Sequence, residues 1–207
     1  MRRSPSAAVF VCLLTLTFFT RSAKASTIDQ QVLANGGGLG SSGLTQTFTV
    51  GLAGNLVGVD VGAWSDAPAT LYILGTTAGV PDSTKILRSQ IVSIPFASQD
   101  AGHFQPTIPI APLPISVGDQ LAIALVLGPG GSVIAWTQTA TPYAGGEVFN
   151  IPDGIAANRY VPLGVDAGFR TYVDVASTGP SAVPEPASLS LLAIGLFGTA
   201  VRLRRRR

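Results

Sequence analysis

Between residues 26 and 180 no window sustains a 3.6-residue apolar period over helical length, so strands are the only regular structure from which this part of the chain can build a core. In place of that period stand short runs rich in Val, Ile, Thr and Phe. Residues 44–50 (LTQTFTV) open the series, and residues 56–64 (LVGVDVGAW) alternate, with Val57, Val59, Val61 and Ala63 expected on one face. Further candidate strands cover 69–74, 86–94, 107–110, 120–127, 132–139, 146–151 and 168–175. Gly, Pro and Asp cluster between them at 78–82, 117–119, 128–131 and 152–154, the residue types that turns demand. The stretch 128–131 (GPGG) joins two strong runs and is expected to close a hairpin. Eight or nine short strands punctuated in this way predict an all-β fold, an antiparallel two-sheet β-sandwich of the jelly-roll kind. Phe48, Phe169 and Trp64 are its expected core aromatics.

Both ends of the chain carry addresses. Arg2 and Arg3 precede an apolar stretch at 7–19, and Ala23-Lys24-Ala25 forms an A-x-A cleavage site, so residues 1–25 read as a secretory signal peptide and the mature chain should begin at Ser26. The export translocon and signal peptidase are the implied partners. The one cysteine, Cys12, lies inside that apolar stretch. Its removal leaves no thiol for a disulfide, a nucleophile or a metal site.

At the other end, residues 187–201 would rise about 22 Å as a helix, short of the ~30 Å hydrocarbon core. Leu203 and a snorkelling Arg202 extend the expected transmembrane helix to 187–203. Ala187, Leu191, Leu192, Ile194, Leu196, Phe197 and Val201 form its apolar body. Arg202 and Arg204, Arg205, Arg206 and Arg207 are expected on the cytoplasmic side by the positive-inside bias. Pro184 and Pro186 cannot continue a helix from upstream but suit its first turn, which leaves Pro184-Glu185-Pro186 as an extended, accessible peptide outside the bilayer. The triplet, the apolar run and the arginine block together resemble the PEP-CTERM sorting signal of bacteria with a cell envelope. That resemblance implies transient residence in the inner membrane, processing near the triplet by an exosortase-type enzyme, and a final place at the cell surface or in the extracellular matrix. The chain thus divides into a signal peptide (1–25), an ectodomain (26–180) and a sorting segment (181–207).

Removing the ends reverses the charge argument. Of thirteen Lys and Arg residues four lie in the signal region and five in the tail, leaving Lys85, Arg88, Arg159 and Arg170 against ten acidic groups, a net of minus six. An acidic domain without a basic stripe offers nucleic acid no electrostatic footprint.

Along the ectodomain, residues 46–51 (QTFTVG), 117–123 (VGDQLAI), Trp136, 143–146 (YAGG) and 166–172 (DAGFRTY) are similar, in this order, to exported jelly-roll modules of bacterial surface proteins. Such modules share their architecture with carbohydrate-binding modules, and architecture alone carries no ligand across. Motifs for chemistry are few. Residues 38–43 (GLGSSG) fit G-x-G-x-x-G but no strand precedes them and a strand follows, so a flexible loop is expected where a dinucleotide site would need a helix. His103 is the only histidine, and G-x-S-x-G is absent, which disfavours a His-Ser-Asp hydrolase and zinc alike. Calcium needs only carboxylates and carbonyls; Asp29, Asp153, Asp166 and Asp174 are its candidate ligands, without a D-x-D-x-D-G loop. A secreted hydrolase would need a carboxylate pair, and Asp60 with Asp66, or Glu147 with Asp153, are pairs that no spacing selects. Trp136, Tyr143 and Tyr160, beside Glu147, Asn150, Asp153 and Asn158, are candidate glycan contacts, since sugars stack on aromatic faces and hydrogen-bond to polar neighbours; aromatics in a sandwich are more often core, which is the first expectation for Trp136 and an equal one for Tyr143. The expectation is a non-catalytic structural protein of the surface or matrix. An exopolysaccharide-binding module is the alternative, marked by an exposed aromatic pair at Trp136 and Tyr143.

Overall fold

The computed structural model describes residues 26–95 and 104–175. The signal segment with Ala23 and Ala25, His103, the sorting triplet, the apolar run and the arginine tail lie outside the described residues. Within them every ladder is antiparallel, and the one helical element is a 3-10 turn at Ile155–Ala157. The all-β, antiparallel expectation therefore stands.

A four-stranded sheet runs in the order β1 (Thr27–Val32), β13 (Phe169–Asp174), β4 (Gly54–Val61), β8 (Ile108–Ile115). A six-stranded sheet runs β12 (Val161–Pro162), β11 (Val148–Asn150), β3 (Gly43–Thr49), β9 (Gln120–Leu127), β6 (Ala69–Thr77), β7 (Val80–Val92). Their facing side chains share one core. Phe48 of β3 and Phe169 of β13 meet across it at 5.8 Å between ring centroids, both fully buried, and Leu56, Val59 and Val61 of β4 join Leu71 and Ile73 of β6 and Ile123 and Leu125 of β9 in the same cluster. Alternation places these residues inside: in β13, Phe169, Thr171 and Val173 are buried while Arg170, Tyr172 and Asp174 are half-exposed.

The single face expected for Val57, Val59, Val61 and Ala63 does not hold throughout. A bulge at Val57, where Tyr172 pairs Gly58 but Val173 pairs Leu56, shifts the parity. Leu56 turns inward and Val57 is only half-buried, because one extra residue flips every side chain that precedes it.

A third sheet, β2 (Gly38–Ser41), β10 (Ile134–Thr137), β5 (Ala63–Ser65), closes one end of the core. β2 leads into β3 and β5 continues β4, so β10 between them ties the two large sheets together. The G-x-G-x-x-G stretch is thus strand β2 and the start of β3, and not a loop. Residues 128–131 join β9 to β10, which pair with other strands and not with each other. The hairpin lies instead at Ala78-Gly79, between β6 and β7, with Thr77 opposite Val80. Both turn residues have positive φ, 52° and 82°, the geometry that two-residue hairpins favour.

β9 is buried on both faces. Its outward Ala122 and Ala124, with Leu74 of β6, lie under Ile151, Ile155 and Tyr160, so the segment after β11 crosses the outer face of the six-stranded sheet. Asn158, itself at φ 47°, pins that segment to β7 by accepting from the Ser83 amide at 2.8 Å and hydroxyl at 3.0 Å. The free edges of β7 and β8 are joined by side chains: Arg88 donates to the Ala111 and Pro112 carbonyls and Gln90 to that of Pro109. β8 contributes three prolines that have no amide to offer a further strand. The chain also enters and leaves this body side by side, since Thr27 at the start of β1 pairs with Val173 near the end of β13.

Truncating the cross-core ring in Phe169→Ala should lower the unfolding free energy by about 3–5 kcal/mol. Ile91→Ser, at a side chain 79% exposed on β7, should stay within about 0.5 kcal/mol of the parent; urea titrations of both check the assignment of inner and outer faces.

Candidate functional site

The three aromatics singled out in the sequence have three different fates. Trp136 of β10 is fully buried, and its indole N–H donates to the Gly168 carbonyl at 2.8 Å. A ring enclosed in this way presents no face to a sugar, so the exposed Trp136–Tyr143 pair expected of a glycan site is not formed. Trp64, expected in the core, is instead half-buried on β5.

Tyr143 belongs to a polar clasp at the edge of the core. Its ring lies edge-on to Phe169 at 5.6 Å, its hydroxyl donates to Gln30 Oε1 at 3.0 Å, and its amide donates to Asp166 Oδ2 at 2.8 Å. Asp166 Oδ1 accepts from the Gln46 amide at 3.0 Å, while Gln46 Oε1 accepts from the Ala167 amide at 2.7 Å. Gln46 sits between Leu44 and Phe48 on the inward face of β3 and is fully buried, which is tolerable only because both ends of its amide are satisfied. Burial raises the Tyr143 phenol above its ordinary value, helped by the charges of Asp29 and Asp166.

The clasp accounts for Asp166 without an ion, and the other calcium candidates do not join it. Asp29 Oδ1 accepts from the Gly51 amide at 3.0 Å and Asp153 pairs with Arg159 at 2.9 Å. Asp174 sits on β13 opposite Asn55. Among the described residues no three potential metal ligands converge. The members of the carboxylate pairs have separate partners: Asp60 accepts from the Tyr172 hydroxyl at 2.6 Å, Asp66 receives the Ser132 and Val133 amides, which hold it below its ordinary value, Glu147 accepts from the Gly164 amide and Asp153 pairs with Arg159.

Tyr143 also borders a recess of about 240 Å³ with Gln31, Leu33 and Pro142, and Tyr160, half-buried, borders a larger one. This larger recess lies on the outer face of the six-stranded sheet, about 460 Å³ in volume, floored by Thr47 and Thr49 of β3 and walled by the hairpin tip 78–80, the loop 144–147 and Pro162. The loop lies close on β3: Glu147 and Thr47 exchange backbone and hydroxyl hydrogen bonds at 2.8–3.2 Å, and the Thr49 hydroxyl donates to the Gly145 carbonyl at 2.9 Å. Gly146 permits that approach, since a Cβ there would collide with the Thr47 carbonyl. Glu147, whose Oε1 accepts from the Gly164 amide at 3.1 Å, is the only charged residue in the lining. A second recess, also about 460 Å³, adjoins the first and shares Val80 and Tyr160 with it; Asp82, Asn158 and Arg159 complete its rim. Burial raises the Tyr160 phenol above its ordinary value.

The rim carboxylate Asp82 accepts the Thr84 hydroxyl at 2.6 Å, the Thr77 hydroxyl at 2.8 Å and the Thr84 amide at 3.0 Å, with Lys85 at 3.6 Å. Those hydroxyl bonds first, then the amide and the lysine, lower it from 3.8 to about 2. The hairpin tip and Gln120, which complete the recess, carried no signal in the sequence beyond turn residues; Gly146, expected to open a strand at 146–151, lies instead in the loop before β11, which begins at Val148.

Compared with known families, residues 182–207 match the PEP-CTERM protein-sorting motif. No curated protein and no solved structure matches the chain. The C-terminus therefore carries a sorting motif that marks an exported, cell-surface protein as a substrate for exosortase, and the body it sorts is the β-rich domain described above.

Asp166→Ala removes the acceptor for both the buried Gln46 amide and the Tyr143 backbone, and should cost about 1–3 kcal/mol for each donor left unpaired, read by chemical unfolding. For Asp82, whose carboxyl is lowered in the folded chain, the stabilisation is present above its unfolded value and lost as pH falls toward about 2. Carbon-13 NMR should place its titration midpoint near 2; a midpoint at 3.8 would contradict the hydrogen-bonded hairpin.

Proposed function

We propose that this chain is a non-catalytic structural module of the bacterial cell surface or extracellular matrix, delivered there by its sorting segment. The observation that carries the reading is the sorting motif at 182–207, which follows in sequence a β domain whose last described strand ends at Asp174. In this reading residues 1–25 are removed on export, the helix 187–203 holds the chain briefly in the inner membrane with Arg202 and Arg204 to Arg207 on the cytoplasmic side, and processing near Pro184-Glu185-Pro186 releases it.

Two features of the body support the assignment. Among the strands β1, β3, β4, β6, β7, β8, β9 and β13, numbered afresh in chain order, the sheets read first-eighth-third-sixth and second-seventh-fourth-fifth. That interleaving of two Greek keys is the order expected of a jelly-roll sandwich. The pairing of Thr27 with Val173 also brings the two addressed ends out side by side, so a domain tethered at either end keeps the same pole toward its anchor. The non-catalytic reading is supported by the carboxylates beside Tyr160 being already engaged, Glu147 by the Gly164 amide and Asp82 by the Thr77 and Thr84 hydroxyls; glycoside hydrolysis calls for two that face the scissile bond.

Intact-mass measurement on protein from the producing cells should give a chain that begins at Ser26 and lacks the arginine block. In Pro184→Ala/Pro186→Ala the longer, membrane-associated form should accumulate. A full-length C-terminus in the surface fraction of the unaltered protein would sink the proposal.

A further inference from the structure

The two recesses on the outer face of the six-stranded sheet meet at Tyr160 and Val80. Each is large enough for a small ligand; together they form a continuous track along the sheet with an aromatic residue at its middle. From this geometry we infer that the track binds a chain of neutral sugar residues, laid across Tyr160 with one segment in each recess. The inference deepens the surface-module reading by giving that module a ligand class.

The chemistry of the walls selects the ligand. A single small molecule would use one recess; a polymer uses both and passes over the shared ridge. Tyr160 and Pro162 offer apolar surface to the C–H faces of a pyranose, while Thr49, Gln120 and Glu147 place a hydroxyl, an amide and a carboxylate around the first recess. Gln120 is exposed at the start of β9, so its amide is accessible to sugar hydroxyls. Anionic chains fit poorly. The first recess contains a carboxylate and no cation, and in the second the charges are already matched, Asp82 with Lys85 and Arg159 with Asp153.

The track is also built to keep its shape. The wall that carries Tyr160 is held to β7 by the Asn158–Ser83 hydrogen bonds and to the sheet by Ile151 and Ile155 over Ala122 and Ala124. The opposite wall is held by the Glu147–Thr47 and Thr49–Gly145 hydrogen bonds. Neither wall must order on binding, which reduces the entropic cost of capturing a flexible polymer.

The test uses the full chain in a zwitterionic detergent without a sugar headgroup, titrated by calorimetry with cellohexaose, mannohexaose and laminarihexaose, and with hexagalacturonate as the anionic comparison. At least one neutral oligosaccharide should bind saturably and more tightly than hexagalacturonate. Tyr160→Ala should weaken that binding by about tenfold or more, the loss typical of an aromatic anchor, while Tyr160→Phe should keep it. Tyr160 also packs over Leu74 and Ala122, so Gln120→Ala, at an exposed position, serves as the second variant and should weaken binding severalfold with the fold intact by circular dichroism. Ile91→Ser, outside both recesses, should bind as the parent does. Absence of binding to every neutral oligosaccharide, preference for hexagalacturonate, or unchanged affinity in both Tyr160→Ala and Gln120→Ala would overturn the inference. The sorting proposal is judged separately by the mass of the surface form, so a correctly processed chain that binds no sugar would remove the track alone.

Discussion

The structure depends on burying two sheet faces against each other, with no α-helix among the described residues to cover either. The contact between Phe48 and Phe169 shows how that is met: each ring comes from a different sheet and both are withdrawn from water. Around them the inward side chains of β4, β6 and β9 complete one cluster. At about 25 cal/mol for each Å² of apolar surface removed from water, it is this shared burial that offsets the ordering of the chain. The polar clasp of Gln46, Asp166 and Tyr143 sits at the same seam. A half-satisfied version would cost more than an apolar replacement, so its completeness fixes how β3 and the segment before β13 sit on one another.

From that core the remaining features follow as ways of handling surface. The outer face of the six-stranded sheet would be too apolar to leave open at Leu74, Ala122 and Ala124, and the chain folds its own 151–160 segment over it. That cover is what raises the walls of the Tyr160 track. The open side, where β7 and β8 would otherwise offer unpaired edges, is bridged by Arg88 and Gln90 and blunted by prolines, devices that restrain strand-to-strand aggregation in an exported protein.

What could be read from the sequence was whatever is encoded locally. Strand existence over 44–50, 69–74 and 120–127 follows from composition and period, and the C-terminal motif is a contiguous string of residue types. Non-local facts were hidden. The bulge at Val57 changes which valines face inward, and only the partner strand reveals it. Residues 27–32 (TIDQQV) are polar enough to read as loop, yet pairing with β13 makes them an edge strand. The glycines of 38–41 masked β2, and 128–131 has the residues of a hairpin but joins strands of different sheets. Trp136 was legible both as core, the commoner fate of an aromatic in a sandwich, and as a glycan contact, and it is core because β10 closes the end of the body. Tyr160 was named beside it as a glycan contact, and the fold alone separates them.

Address and body are separable in this account: the described residues 26–95 and 104–175 share their own core, and the motif at 182–207 supplies the address. Hydrogen exchange followed by mass spectrometry on the full chain and on the processed surface form tests that claim most directly. The account predicts the same protection in both across β1, β3, β4, β9 and β13. Loss of protection in β1 and β13 once the sorting segment is gone would show that the ends help hold the fold, and would contradict it.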